Sequence, residues 1–126
     1  EYIGEIGDHE KSEFLSGATG LLVPIDWPEP FGLVMIEAMA CGTPVIAYNR
    51  GSVPEIIEDG KTGFIVEDEI SAVSDVGRLP ELDRQAIRSR FEERFTARRM
   101  ALDYLDTYQG MIDAVAPRIK LVSSAE

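Results

Sequence analysis

Three short apolar runs, each closed by turn residues and separated by segments of helical character, constrain the fold of this 126-residue chain most strongly. The runs occupy residues 20–24, 45–48 and 64–66. An apolar run of this length without polar alternation is typical of a strand that is covered on both faces, as in a parallel sheet. Because helical segments alternate with these strands, the sequence predicts an α/β fold with a parallel sheet.

A fourth and shorter strand is predicted at Tyr2 and Ile3, close to the first residue of the sequence. A doubly wound sheet commonly has five or six strands. We therefore expect a partial doubly wound, Rossmann-like parallel sheet flanked by helices, equivalent to the second half of such a domain. An open edge of this sheet could pair with a second copy of the chain, which would give a weak homodimer.

Helices are predicted before, between and after the strands. Asp8 is the expected N-cap of the first, which runs to about Ser16 with Phe14 and Leu15 facing inward. The later helices are expected over residues 31–40, 55–58 and 69–76, then from Pro80, and finally after a cap at Thr96. In the helix over residues 69–76, Ile70 and Val73 are expected to face inward, and Pro117 is expected to end the last helix.

Composition and charge narrow the class of protein. Apolar residues make up 44% of the chain, which is enough for a folded core. Most of the net charge of −11 lies in residues 1–60, which contain eleven acidic and two basic residues and so carry a net charge of −9. Nucleic acid requires clustered Lys and Arg, so we expect no nucleic-acid partner. The absence of a long apolar run, and a lone Cys41 that we expect to be a small buried residue, favour a cytoplasmic protein.

Two carboxylates flank the beginning of the helix over residues 31–40. Glu29 lies in the loop before it, and Glu37 follows eight positions later. In doubly wound folds, ligands bind beyond the carboxyl ends of strands, and the N-terminus of a helix favours anions. Gly32 would let a ligand approach the backbone closely. A carboxylate also accepts two hydrogen bonds from a vicinal diol, so each acid could bind a pair of hydroxyls.

The same residues allow a simpler interpretation. Glu29 can be a solvated loop residue, and Glu37 can occupy the exposed face of an amphipathic helix. Glu37 is flanked by apolar neighbours on both sides, however, and a charge in such a setting requires a partner or a ligand. The residues by themselves leave both interpretations open.

The run EPFGLVMIEAMACGTPVIA at residues 29–47 resembles the signature of family 4 glycosyltransferases. These are retaining enzymes of the GT-B fold, with two Rossmann-like domains around a donor cleft. Their E-x7-E motif falls on Glu29 and Glu37. Residues 51–57 and 59–66 match the same family in order and spacing, as does the lead-in at residues 2–4. The family usually has two glycines where this chain has Gly51 and Ser52.

The resemblance implies roles for the residues that match the motif. Glu29 would be the catalytic residue, binding donor-sugar hydroxyls near the reacting carbon. Glu37 would hold the ribose hydroxyls of the nucleotide. The remaining donor-site residues would be Pro30, Phe31, Gly32 and Leu33 at the sugar and phosphate, and Ile3 and Gly4 near the base. The transfer would be metal-independent, with no cofactor and no metal ligand.

The resemblance also implies that residues 1–116 form a C-terminal donor-binding domain truncated at its N-terminal side, with residues 117–126 as a tail. The Arg and Lys that bind the diphosphate would lie upstream, together with an N-terminal domain that binds the acceptor, which is a sugar, a lipid or a small molecule. We then expect the fragment to be inactive alone, and the whole protein to be cytoplasmic or peripheral to a membrane. The alternatives are a nucleotide-sugar epimerase of the same fold and an inactive nucleotide-binding module.

Overall fold

The computed structural model describes residues 1–122, and it describes side chains for residues 1–115. The chain divides into two compact units, residues 1–92 and residues 93–126, which are taken in turn below. Within the described residues, no helix is both long and apolar enough to cross a bilayer.

The first unit is built on three parallel strands in the order β1 (Leu21–Val23), β2 (Val45–Tyr48) and β3 (Gly63–Val66). Leu21 is opposite Val45, and Val45 is opposite Gly63. A side chain at Gly63 would bring its Cβ within 2.9 Å of the Val45 carbonyl carbon, so the β2–β3 pairing requires glycine there. The prediction of a parallel sheet is confirmed.

The helices of this unit alternate with the strands. They are α1 (Asp8–Gly17), α2 (Leu33–Ala40), α3 (Val53–Ile56) and α4 (Glu69–Val76), followed by a 3-10 turn at Leu79–Glu81 and by α5 (Arg84–Arg94). Met35 and Met39 of α2 are fully buried, as are Val45 of β2 and Ile87 of α5. Burying a side chain of this size stabilises a fold by about 1.5–3 kcal/mol. These residues, together with an apolar cluster beside α4 and the 3-10 turn, form the core.

Hydrogen bonds tie the end of α1 to the loop after α2. The Thr43 hydroxyl is fully buried, donates to the carbonyl of Leu15 at 2.6 Å and accepts from the guanidinium of Arg84 at 2.9 Å. Arg84 also donates to the carbonyls of Ser16 and Ala18 at 2.8 and 2.7 Å. This network fixes α1 beside α2.

Several predictions near the first helix are wrong. Tyr2 and Ile3 form no strand, because no described strand lies beside them, and Tyr2 is almost fully exposed. The first helix begins with Asp8, so its N-cap is Gly7. Leu15 is buried as expected, but Phe14 is half exposed.

Two other helices begin later in the structure than the sequence predicts. The helix expected from residue 31 begins at Leu33, because Gly32 has a left-handed backbone conformation. Pro80 lies in the short 3-10 turn, and the longer helix starts only at Arg84. The bounds of α4 are as predicted, but Ile70 and Val73 are largely exposed because Ala72 is the α4 residue that packs on the core cluster.

The second unit consists mainly of α6 (Ala97–Val122). The predicted cap is confirmed, since the Thr96 hydroxyl accepts from the backbone N–H of Arg99 at 3.2 Å. The helix continues past Pro117, which corrects the expected end there. Proline removes one backbone hydrogen bond and bends a helix, but it does not force the helix to stop. The last four residues of the predicted tail, 123–126, lie outside the described residues.

Candidate donor site at the beginning of helix α2

Glu29 lies in the loop between β1 and α2, and its backbone is held on both sides. Its N–H donates to the carbonyl of Trp27 at 2.8 Å, and its carbonyl accepts from the N–H of Ser52 at 2.9 Å. Its carboxylate reaches forward and accepts from the N–H of Gly32 at 3.3 Å. The structure therefore places the Glu29 carboxylate at the N-terminus of α2, where the helix dipole favours negative charge.

Gly51 makes the close approach to this loop possible. Its φ angle is +51°, and a Cβ there would lie 2.6 Å from the nitrogen of Glu29 and would overlap its carbonyl oxygen. Ser52 has φ −76° and ψ −7°, an ordinary helical conformation that any residue adopts. The glycine-specific backbone shape of this turn therefore belongs to Gly51, and serine at the next position leaves it intact.

Gly32 is the N-cap of α2, with φ +71° and ψ +49°. A Cβ at this position would collide with the end of the Met35 side chain and would lie 3.4 Å from the Ser52 hydroxyl. On either side of it, Phe31 and Leu33 have side chains that are more than half exposed. The first N–H groups of any helix lack partners within the helix, so this turn can bind an anion or a polar ligand group.

Glu37 lies on the second turn of α2 and is paired with a base. Lys11 Nζ donates to Glu37 Oε1 at 3.0 Å and lies 3.2 Å from a carboxylate oxygen of Asp8. Hydrogen bonds to Glu37 and then to Asp8 raise the pKa of Lys11 above its ordinary value. The Glu37 side chain is 38% exposed, so it remains open to solvent despite its apolar neighbours.

Lys11 is the residue that the sequence did not assign to the site. It is separated from Glu37 by 26 positions, and no local pattern connects them. The only available signal was composition, because Lys11 and Arg50 are the two basic residues among the first sixty.

Arg50 is engaged on the other side of the Glu29 loop. Its guanidinium pairs with Asp26 at 2.9 Å and with Glu67 at 3.2 Å. Hydrogen bonds to Asp26 and Glu67 raise the pKa of Arg50, and hydrogen bonds from Asn49 and Arg50 lower the pKa of Glu67. Both basic residues of the range 1–60 therefore form ion pairs with acidic residues. An anion bound by this part of the chain would be bound by backbone N–H groups.

The Ser52 hydroxyl is an unusual feature of the same turn. Its oxygen is buried and has no hydrogen-bond partner among the residues that the structure describes. A buried hydroxyl without a partner costs about 1–3 kcal/mol. In the sequence, Ser52 stands out as a replacement for a glycine that the family usually has, and no local pattern marks its hydroxyl as buried.

The structure also describes four other residues of the first unit, namely Ile3, Gly4, His9 and Cys41. Ile3 is largely exposed and Gly4 has φ +85°, but the expected contact with the base stays a prediction. Cys41 is partly exposed, with its sulfur 3.8 Å from the carbonyl of Ser12, so the expectation that it is buried is wrong. His9 is exposed in the first turn of α1. The described part of the chain contains no group of three residues that could hold a metal ion.

A groove of about 290 Å³ lies elsewhere on the first unit, between the strands and α4. Its lining is almost wholly apolar, with Glu69 as the one charged residue, and it includes no residue of α2. A nucleoside diphosphate needs donors for its phosphates, so the chemistry favours the beginning of α2 over this groove.

Comparison with known proteins identifies the family. Residues 1–93 match the family described as "Glycosyl transferases group 1". Because this match covers most of the chain, the protein belongs to that family. Its parallel sheet flanked by helices is consistent with a Rossmann-like fragment of a GT-B C-terminal domain.

Curated relatives support the same family. The chain is 40% identical over 101 residues to the D-inositol 3-phosphate glycosyltransferase of Rhodococcus jostii, a match that covers 73% of this chain and 22% of the relative. It is 47% identical over 58 residues to the alpha-maltose-1-phosphate synthase of Mycolicibacterium smegmatis, covering 46% of this chain and 15% of the relative.

A third relative is the N-acetyl-alpha-D-glucosaminyl L-malate synthase of Bacillus anthracis. It is 39% identical over 62 residues, which cover 49% of this chain and 16% of the relative. The chain thus spans only about a seventh to a fifth of the length of these relatives.

Proposed function

We propose that this chain supplies part of the donor site of a retaining, family 4 glycosyltransferase that takes a sugar from a nucleotide-diphosphate sugar. The observation that carries the proposal is the position of Glu29. Its carboxylate is held at the N-terminus of α2 by the N–H of Gly32, and its backbone is locked against Gly51 and Ser52. The family membership makes sugar transfer the chemistry that this arrangement serves.

In this proposal Glu29 binds hydroxyls of the donor sugar next to the reacting carbon. One carboxylate oxygen accepts from Gly32, which leaves the other available for a sugar hydroxyl. The backbone N–H groups of Phe31 and Leu33, beside Pro30, face the sugar and the distal phosphate, while the N–H of Gly32 holds Glu29. As the bond between the anomeric carbon and the phosphate oxygen breaks, negative charge grows on the leaving diphosphate, and these dipoles stabilise it.

Glu37 would bind the ribose, and the base would lie near Ile3 and Gly4. Glu37 follows the first residue of α2 by four positions, a rise of about 6 Å along the helix axis. A donor extended along α2 could therefore reach from Glu29 to Glu37. The positive charge that neutralises the diphosphate would come from the rest of the whole protein, since Lys11 and Arg50 are already paired. We propose that no metal is needed and that the whole protein acts in the cytoplasm.

The test uses the whole protein with a panel of nucleotide sugars and simple acceptors. We expect transfer that persists in EDTA, with a product that keeps the anomeric configuration of the donor by NMR. Glu29→Gln should reduce kcat/KM by about 10–100-fold, because a hydrogen bond to a charged group is lost. Glu13→Gln on exposed α1 is the matched control and should leave transfer unchanged.

Two results would contradict the proposal. Epimerisation of the donor without transfer would assign the site to a different reaction, and inversion at the anomeric carbon would exclude the retaining class. We also propose that the 126-residue chain alone shows no transfer, because it spans only about a seventh to a fifth of its relatives' length and the diphosphate cations and the acceptor domain would belong to the rest of the protein. Transfer by the isolated chain would show that these parts are not required.

A further inference from the structure

We propose that Lys11 is a positioning residue for the nucleotide, acting through Glu37. The inference rests on the proposed ribose-binding role of Glu37. Lys11 Nζ lies 3.0 Å from Glu37 Oε1, and the described residues give Oε2 no hydrogen bond. The ammonium thus holds one oxygen of the carboxylate and leaves the other free to accept from a ribose hydroxyl.

The backbone that carries Lys11 is fixed independently of its side chain. The buried Thr43 hydroxyl and the Arg84 guanidinium bind the carbonyls at the end of α1, and Leu15 packs in the core. Loss of the Lys11 ammonium therefore leaves α1 in place beside α2. What changes is the freedom of the Glu37 side chain, which can then adopt other rotamers.

The exposure of the pair argues against a mainly structural role. The Lys11 and Glu37 side chains are 37% and 38% exposed. Ion pairs at such sites contribute little to the stability of a fold. A preoriented carboxylate, by contrast, lowers the conformational entropy that a ligand must overcome on binding.

Lys11 also sets the local charge around Glu37. Among residues 1–60 it is one of two bases against eleven acids, and its second partner, Asp8, draws the ammonium toward the N-terminal turn of α1. The two carboxylates hold the ammonium between them, so Lys11 is oriented before any ligand arrives. These contacts occupy two of the three N–H donors of the ammonium.

The experiment measures nucleotide binding to the whole protein by calorimetry. UDP, GDP and ADP are compared first, and the tightest is then compared with its 2′,3′-dideoxy analogue. Lys11→Gln should weaken binding of the ribonucleotide by about threefold to tenfold and leave the dideoxy analogue unchanged, because only the ribose hydroxyls depend on Glu37. Lys11→Arg should bind within about twofold of the parent, since it can keep the charged hydrogen bond.

Matched variants separate this inference from the proposed function. Glu37→Gln should weaken binding of the ribonucleotide by about tenfold. The double variant Lys11→Gln with Glu37→Gln should bind it no more weakly than Glu37→Gln alone. Lys61→Gln removes an exposed lysine that pairs with Glu58 at 3.8 Å and should change nothing. Lys11→Met, which keeps the aliphatic stem, repeats the test if Lys11→Gln melts at a lower temperature.

The outcomes are distinct. If Glu37→Gln weakens binding but Lys11→Gln and Lys11→Met bind normally, the Lys11 inference is overturned and the proposed function stands. Equal weakening of the ribonucleotide and its dideoxy analogue by Lys11→Gln also overturns the inference, because it indicates direct phosphate contact. If Glu37→Gln binds normally, the ribose role of Glu37 fails and the inference fails with it.

Discussion

The two acidic residues of the candidate site are held in different ways. Glu29 is fixed by main-chain contacts, with Gly51 packed against its backbone and Gly32 bonded to its carboxylate. Glu37 is fixed by a side chain, the half-exposed Lys11. The proposed sugar end of the site, at Glu29, therefore depends on backbone geometry, and the proposed nucleoside end, at Glu37, depends on charge. Substitution of Gly51 should therefore disturb folding, and substitution of Lys11 should change affinity alone.

Gly51→Ala should have the largest effect and tests the sugar end. The new Cβ would meet the backbone of Glu29, which cannot move without breaking its bonds to Trp27 and Ser52. We expect the free energy of unfolding to fall by more than about 2 kcal/mol, with loss of donor binding. Denaturant unfolding and calorimetry on the whole protein would measure both.

Gly60→Ala is the matched control for that substitution. Gly60 also has a positive φ, +71°, but a Cβ there meets nothing within 4 Å. Gly60→Ala should lower the free energy of unfolding by only about 1–2 kcal/mol, because alanine is strained in the left-handed conformation. Donor binding should be normal. Equal losses in the two variants would show that steric contact with Glu29 is unimportant.

Thr43→Val tests the support behind the nucleoside end. The substitution keeps the shape of the side chain but removes a buried hydroxyl that donates to the carbonyl of Leu15 and accepts from Arg84. We expect the free energy of unfolding to fall by about 1–3 kcal/mol, because the partner groups are left unsatisfied. A chemical denaturation curve unchanged from the parent would contradict the view that this network anchors α1.

Acid pH should weaken the ion pair between Arg50 and Glu67 beside the Glu29 loop. The pKa of Glu67 is lowered below its ordinary value of 4.5, so its contribution to stability is present above that value and is lost as pH falls through the lower, folded value. The raised pKa of Lys11 keeps its ammonium charged across this range, and that charge is lost only as pH rises beyond 10.5. Melting temperatures from pH 7 to pH 3 should fall less steeply in Glu67→Gln than in the parent.

Ser52→Ala should have the smallest effect and the opposite sign to Thr43→Val. Its hydroxyl is buried without a described partner, so its removal should leave stability unchanged or raise it by up to about 1 kcal/mol. Thermal unfolding would measure the change. A loss larger than about 1 kcal/mol would show that the hydroxyl has a partner in the folded protein, such as a buried water.

The sequence predicted those elements whose signals are local. The bounds of β2 and α4 agree with the structure because an apolar run defines β2, and α4 begins after Asp68, its N-cap, and ends before Gly77. The contact between Lys11 and Glu37, the exposure of Ile70 and the isolation of the Ser52 hydroxyl depend on which surfaces meet after folding. No pattern within a few residues encodes such contacts. The family motif identified the acids, but it said nothing about what holds them in place.

The most direct test of the central claim is a crystal structure of the whole protein with its preferred nucleoside diphosphate. We expect the ribose hydroxyls within about 3 Å of Glu37 Oε2, and the distal phosphate beside the backbone N–H groups at the beginning of α2. We also expect Lys11 to remain bonded to Oε1. A nucleotide bound away from α2, or a ribose that does not contact Glu37, would exclude the proposed donor site.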